Sequence, residues 1–178
     1  TIDSVEPIYG LVVIGLVHPA KVKKNAGARP GDVLILGKPL GVGIYSAALK
    51  KDRLDAESYR QMIANTTKLN TPGRRLADMD DVHALTDVTG FGLLGHASHI
   101  ARASGVTLRF VAKDIPSLPG AIEALASGIT TGGAKRNERY VTALVNCAPC
   151  VSKEMSALVV DPQTSGGLLL AVPKERVD

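Results

Sequence analysis

Apolar positions change their spacing several times along the chain, and each change marks an element. Pro7–Val17 (PIYGLVVIGLV) is apolar and β-branched with two glycines, and predicts a buried strand. A polar, basic connector follows over His18–Arg29, then a turn at Pro30-Gly31-Asp32 and a second strand at Val33–Leu36. The glycine-rich Gly37–Gly43 leads into a short helix over Ile44–Lys51. Ala56–Leu69 carries apolar side chains at helical spacing, and Thr71-Pro72-Gly73 stops it. Val82–Thr86 predicts a short strand. Thr89–Ser104 predicts a helix, because Leu93, Leu94, Ala97, Ile100 and Ala101 share one face and Gly105 offers a C-terminal cap.

Beyond it, Val106–Val111 (VTLRFV) alternates as a strand, and Pro119–Ala126 predicts a short helix closed by Gly128. Gly132-Gly133 reads as a turn, Arg139–Val145 is ambiguous, and Leu158–Val160 and Gly167–Val172 read as strands flanking a turn at Asp161–Gly166. Helices and strands interleave without strict alternation, which favours an α+β fold over a doubly wound sheet.

Composition narrows the class. With 45% hydrophobic and 21% charged residues the chain is globular, not disordered. Aromatic residues make up 3% and Trp is absent, so the core must be aliphatic. The net charge of +4 lies wholly in the first third: residues 1–53 hold 8 basic and 4 acidic groups, the remainder 13 of each. A nucleic-acid footprint needs a larger patch, and the excess reads as a solvated basic surface. The longest apolar runs, Leu11–Ile14 and Leu168–Val172, fall far short of the ~20 residues of a membrane helix. Two cysteines make no disulfide framework, so a reducing cytoplasm is the expected compartment.

Chemistry concentrates in Leu85–His96. Here Asp87 and two threonines precede a glycine-rich helix start. A helix N-terminus offers unpaired N–H groups and the positive end of a dipole, which suits an anion such as phosphate. Asp87 would repel that phosphate unless a divalent cation lay between them, and Mg²⁺ takes such mixed carboxylate and phosphate ligands. Asp87 or Thr89 would equally serve as a helix cap. Gly90-x-Gly92-x-x-Gly95 matches a dinucleotide fingerprint, but Asp87 would then face a pyrophosphate with no cation. Asp161–Gly167 (DPQTSGG) would cradle an anion or form an ordinary turn between core strands. Cys147-Ala-Pro-Cys150 has the spacing of a redox pair or half a zinc site, but neither a second CxxC nor a suitably spaced histidine completes it. Gly132–Asn137 reads as an exposed basic turn.

Thr86–His96 (TDVTGFGLLGH) and Asp161–Val172 (DPQTSGGLLLAV) resemble the selenophosphate synthetase family. Glu6–Gly10, Val22–Asn25, Lys38–Gly43 and the Ile115–Gly120 segment follow that family's pattern in the same order, so the resemblance covers nearly the whole chain. It implies the C-terminal domain of an aminoimidazole-ribonucleotide-synthetase-like (PurM-like) fold, with a mixed sheet packed by helices. Residues 1–25 would be the last strand of an N-terminal domain and a connector, and residues 26–178 the C-terminal domain, incomplete at its C-terminus.

The implied reaction makes selenophosphate, AMP and phosphate from selenide, ATP and water, with Mg²⁺, in a homodimeric parent that binds neither nucleic acid nor membrane. The reactive Cys or selenocysteine and a Lys would lie in the N-terminal half, so no catalytic residue is expected here. Asp87 would be one of three metal-binding aspartates. Thr89, Gly90 and Gly92 would lie near phosphate. The resemblance assigns no role to Cys147, Cys150 or the Asp161–Gly167 turn. The alternatives are another enzyme of the same ATP-using superfamily or a noncatalytic binding or assembly module.

Overall fold

The computed structural model describes Gly10 and residues 12–177. Three strands, β1 (Val33–Leu36), β2 (Ala84–Asp87) and β3 (Leu168–Val172), form one sheet in the order β1-β3-β2. Both pairings are antiparallel, with Val33 opposite Val172 and Asp87 opposite Leu168. The parallel component of the expected mixed sheet is confined, among the described residues, to the isolated bridge between Leu40 and Ser117.

β3 is central, and its sequence, LLLAV, explains why. Side chains alternate between the faces of a strand, so an all-apolar strand needs cover on both. Leu169 and Ala171 join Leu34, Leu36 and Ala84 in the main core. Leu168, Leu170 and Val172 meet Ile35, Leu85 and Leu76 in a second, smaller cluster on the opposite face.

Seven helices surround the sheet among the described residues: α1 (Val42–Leu49), α2 (Ala56–Thr67), α3 (Pro72–Ala77), α4 (Gly92–Ser104), α5 (Ala121–Ala126), α6 (Gly132–Val141) and α7 (Lys153–Leu158). Several starts are capped by the side chain the sequence supplies. Asp55 accepts from Ser58 N–H at 2.9 Å, Thr131 from Ala134 N–H at 2.9 Å and Ser152 from Met155 N–H at 3.1 Å. Each such cap contributes about 1 kcal/mol. Gly105 ends α4 in the left-handed conformation, at φ +67°. α4 buries Leu93, Ala97 and Ile100, as its spacing requires. None of the described helices is long and apolar enough to cross a membrane.

Five segments differ from their sequence patterns. Val12–Val17 form no strand, and Val12, Val13, Ile14 and Leu16 are exposed; the rest of Pro7–Val17, apart from Gly10, lies outside the described residues. A strand needs a ladder partner, and none of the described strands runs beside this one. Val106–Val111 alternates in burial yet has no ladder partner among the described residues. Leu158–Val160 is not a strand, because Ser152 caps a helix that runs to Leu158. Gly132-Gly133 is the first turn of α6 and not a loop, since Thr131 caps it. Pro72 ends the α2 segment as expected but also opens α3, at a position where its missing N–H costs nothing.

Candidate functional site

Asp87 is the last residue of β2, and its exposed carboxylate has no hydrogen-bond or ion-pair partner among the described residues. The chain then turns inward. Val88 N–H donates to Gly167 C=O at 2.9 Å, and Thr89 C=O accepts from Gln163 N–H and Gly92 N–H, each at 3.0 Å. The segments Thr86–His96 and Asp161–Gly167 are therefore packed backbone to backbone. Two glycines make this possible. A Cβ at Gly166 would overlap the Val88 carbonyl oxygen, and one at Gly92, at φ +69°, would lie 2.7 Å from the Val160 carbonyl carbon.

Above this contact the N–H groups of Thr89, Gly90 and Phe91 have no partner among the described residues, and Gly90 faces open space. The Thr89 hydroxyl lies 3.2 Å from His96 Nε2. Burial holds His96 below the usual histidine range, against the pull of Asp87 and with a smaller push from His99. A neutral His96 thus orients Thr89. Phe91 is exposed beside His96, His99 and Tyr140, with ring centroids 5.8–6.1 Å away.

The Asp161–Gly167 turn fills the N-terminus of α1. Gln163 Oε1 accepts from Gly41 and Val42 N–H, each at 3.2 Å. Asp161 Oδ2 accepts from Gly43 N–H at 3.0 Å, from Ile44 N–H at 3.2 Å and from Gln163 Nε2 at 3.0 Å. Asp161 is 1% exposed and its Oδ1 has no partner. Burial pushes its carboxyl from 3.8 up to about 7, against the donors from Ile44, Gln163 and Gly43.

Two further buried side chains lock the arrangement. Lys38 Nζ donates to the carbonyls of Asn65, Lys68 and Ser165, at 3.1, 2.5 and 2.6 Å, joining the end of α2 to the turn. Burial, and then Lys68, lower the Lys38 pKa. Asn137 Nδ2 donates to Gly90 C=O at 2.8 Å and Val160 C=O at 3.0 Å.

The structure thus brings Asp87, Thr89, Gly90 and Gly92 together, with Gly92 spent on packing. Sequence reasoning missed Lys38, Asn137, Asp161 and Gln163 as the framework. Their partners lie far off in the chain, 117 to 122 residues away for Asp161 and Gln163, so no local pattern marks these roles. Cys147 and Cys150 are exposed free thiols, and His83 pairs with Asp32 at 2.9 Å in the interior. Among the described residues no three His, Cys, Asp or Glu side chains come together to hold a metal. Asp87 offers one unspent hard oxygen donor, which fits one ligand of a Mg²⁺ set and not a complete site.

Residues 29–178 match the family described as AIR synthase related protein, C-terminal domain. The chain belongs to this family. Its AIR-synthase-related domain resembles selenide, water dikinases along the whole chain. It is 58% identical over 178 residues to that of Burkholderia pseudomallei, covering 100% of this chain and 50% of the relative. It is 54% identical to that of Dechloromonas aromatica over 177 residues, 99% of this chain and 51% of the relative.

The chain spans about half the length of the curated relatives it matches. The AIR-synthase-related fold recurs in a thiamine-monophosphate kinase from Stenotrophomonas maltophilia, with a TM-score of 0.61 at 17% identity over 91% of this chain and 46% of that one. It recurs in a hydrogenase maturation protein, with a TM-score of 0.56 at 18% identity over 90% and 41%. At such identities the likeness shows the fold.

Proposed function

We propose that this domain is the C-terminal part of a selenophosphate synthetase, a longer protein that uses ATP, selenide and water to make selenophosphate, AMP and phosphate. The observation that carries the reading is the 58% identity to a selenide, water dikinase along all 178 residues, which include both long motifs. Within that reading the Asp87 carboxylate is one Mg²⁺ ligand. Bound there, Mg²⁺ would neutralise charge on the ATP phosphates. The N–H groups of Thr89, Gly90 and Phe91 donate to phosphate oxygens, and neutral His96 holds the Thr89 hydroxyl in place. Gly92, Asn137 and the 161–167 turn fix the backbone that presents these donors.

Residues 1–25 then connect to the N-terminal domain, which carries the reactive Cys or selenocysteine and the Lys. The parent is a cytoplasmic homodimer, and the 178-residue chain alone is inactive. The test is ATP- and selenide-dependent formation of AMP by the full-length gene product, with and without Asp87→Asn. Turnover in the wild type and its loss in the variant are expected. AMP formation by residues 1–178 alone would refute the division of labour, and phosphorylation of a different acceptor would favour a relative such as a thiamine-phosphate kinase.

A further inference from the structure

The connection between α6 and α7, residues 142–152, carries the two cysteines of the chain, Cys147 and Cys150, and the proposed phosphate site uses neither. Both are exposed free thiols. The backbone between them is restricted. A proline fixes its own φ and pushes the residue before it toward the extended region, here Pro149 and Ala148. Val151 N–H donates to Ala148 C=O at 3.0 Å, closing a β-turn with Pro149 and Cys150 in its central places. The chain bends back just after Cys147, with Cys150 inside the bend. Cys147 is anchored to the same turn. Its Sγ lies 3.8 Å from the Ala148 carbonyl oxygen, the acceptor that closes the turn, and 3.8 Å from Ser156 Oγ on α7. Ser156 Oγ in turn donates to Ser152 C=O at 3.0 Å.

Two exposed thiols on one bend have their own chemistry. Among the described residues no third His, Cys, Asp or Glu joins them to hold a metal. A disulfide needs Cα atoms about 4.4–6.8 Å apart, within reach of a chain that turns between them. The location of the pair gives a bridge a consequence. α6 carries Asn137, which grips Gly90 C=O and Val160 C=O. Just past α7, Val159 C=O accepts from Leu94 N–H at 3.0 Å, and Val160 lies against Gly92. Both ends of the 142–152 connection therefore hold the start of α4.

We propose that Cys147 and Cys150 are a redox modification site, which exchanges with a low-molecular-weight disulfide such as oxidised glutathione and closes an intramolecular bridge that stiffens the α6–α7 connection. One cysteine thiolate attacks the small disulfide, forming a mixed disulfide and releasing one small thiol. The second cysteine thiolate attacks the protein sulfur of that mixed disulfide, forming the Cys147–Cys150 bond and releasing the other small thiol. The two cysteines lose two electrons and two protons, and the small disulfide takes them up as two thiols. Exposure of both sulfurs admits the reagent, and the bend brings the second thiol to the first. The site is independent of the proposed reaction and stands whichever acceptor the full-length product phosphorylates.

Peptide mapping of the full-length gene product tests this. The protein is equilibrated with mixtures of reduced and oxidised glutathione, its remaining thiols are capped with N-ethylmaleimide, and it is cut with trypsin without reductant. The peptide Tyr140–Lys153 contains both cysteines. As the mixture becomes more oxidising it should appear uncapped and two hydrogens lighter, and dithiothreitol should return it to the doubly capped form. A Cys147→Ser variant should instead hold one glutathione on Cys150. A wild-type peptide that stays doubly capped, or that carries two glutathiones, would overturn the proposal, because the thiols then do not reach each other. Stoichiometric zinc in the purified protein that is lost in Cys147→Ser would overturn it too, by assigning the pair to a metal. In the bridged form the amides of residues 142–152 should exchange about tenfold more slowly than in the reduced form. An unchanged rate would overturn the stiffening.

Discussion

Two glycine-rich helix starts lie close together in this domain and have opposite fates. At α1 the N–H groups of Gly41, Val42, Gly43 and Ile44 are all taken by Gln163 and Asp161 from the chain's own turn. Before α4 the N–H groups of Thr89, Gly90 and Phe91 are left open beside the exposed Asp87. Both segments carry glycines and both stand beside an acid in the fold, Asp161 at one and Asp87 at the other. What separates them is whether the donors are already spent. A helix start filled by a buried carboxylate is architecture, and one left open beside an exposed carboxylate is available for a ligand.

Substitutions on the filled side and on the open side should therefore differ in kind. Among the substitutions considered, Gly92→Ala, where the open start packs against the 161–167 turn, should cost most, since it combines a left-handed backbone with a Cβ 2.7 Å from the Val160 backbone. A loss of about 4 kcal/mol, or failure to fold, is expected in urea unfolding. Gly90→Ala, two residues earlier and meeting nothing within 4 Å, should change stability by less than about 0.5 kcal/mol.

Next comes pH. Asp161 has its pKa raised from 3.8 to about 7 in the fold, so between those values the unfolded chain ionises while the folded chain keeps its proton. The Asp161 contribution to stability is then greatest below about pH 4, declines as pH rises to about 7 and levels off above it, by an amount on the order of 4 kcal/mol. Melting curves of wild type and Asp161→Asn across pH 4–8 should show this decline in the wild type only.

Gln163→Ala should cost about 2 kcal/mol by leaving the Gly41 and Val42 N–H groups buried without an acceptor. Asp87→Asn stands last, with an effect within about 0.5 kcal/mol on unfolding. Under the proposed function it still abolishes turnover of the full-length product. A large stability loss at Asp87 would erase the contrast between the two helix starts.

Much of this was legible in the sequence. The period of α4, the Gly105 cap, β1, β3 and the position of Asp87 all follow from local pattern. The failures have two causes, a local cap that was not read and dependence on partners distant in sequence. Val106–Val111 has the alternation of a strand but no ladder within the described residues. Leu158 reads as the start of a strand until the Ser152 cap is recognised. Asp161 and Gln163 read as turn residues, because their acceptor role exists only once Gly41–Ile44, far away in the chain, is folded against them. Likewise, a lysine with three carbonyl acceptors and no carboxylate partner, as at Lys38, leaves no trace in charge patterning.

The strand order β1-β3-β2 also sets a timetable. Among the described residues β1 and β2 do not pair with each other, and each finds its strand partner in β3, near residue 170. Val33 waits for Val172, about 140 residues later, so the closure is strongly non-local. At a synthesis rate of roughly 5–20 residues per second, the first strand spends on the order of ten seconds outside the ribosome with no sheet to join. The turn that fills the start of α1 emerges only just before β3. During that interval the apolar residues of β1 lack their β3 partners, and both ladders can form only after Leu168–Val172 has been made.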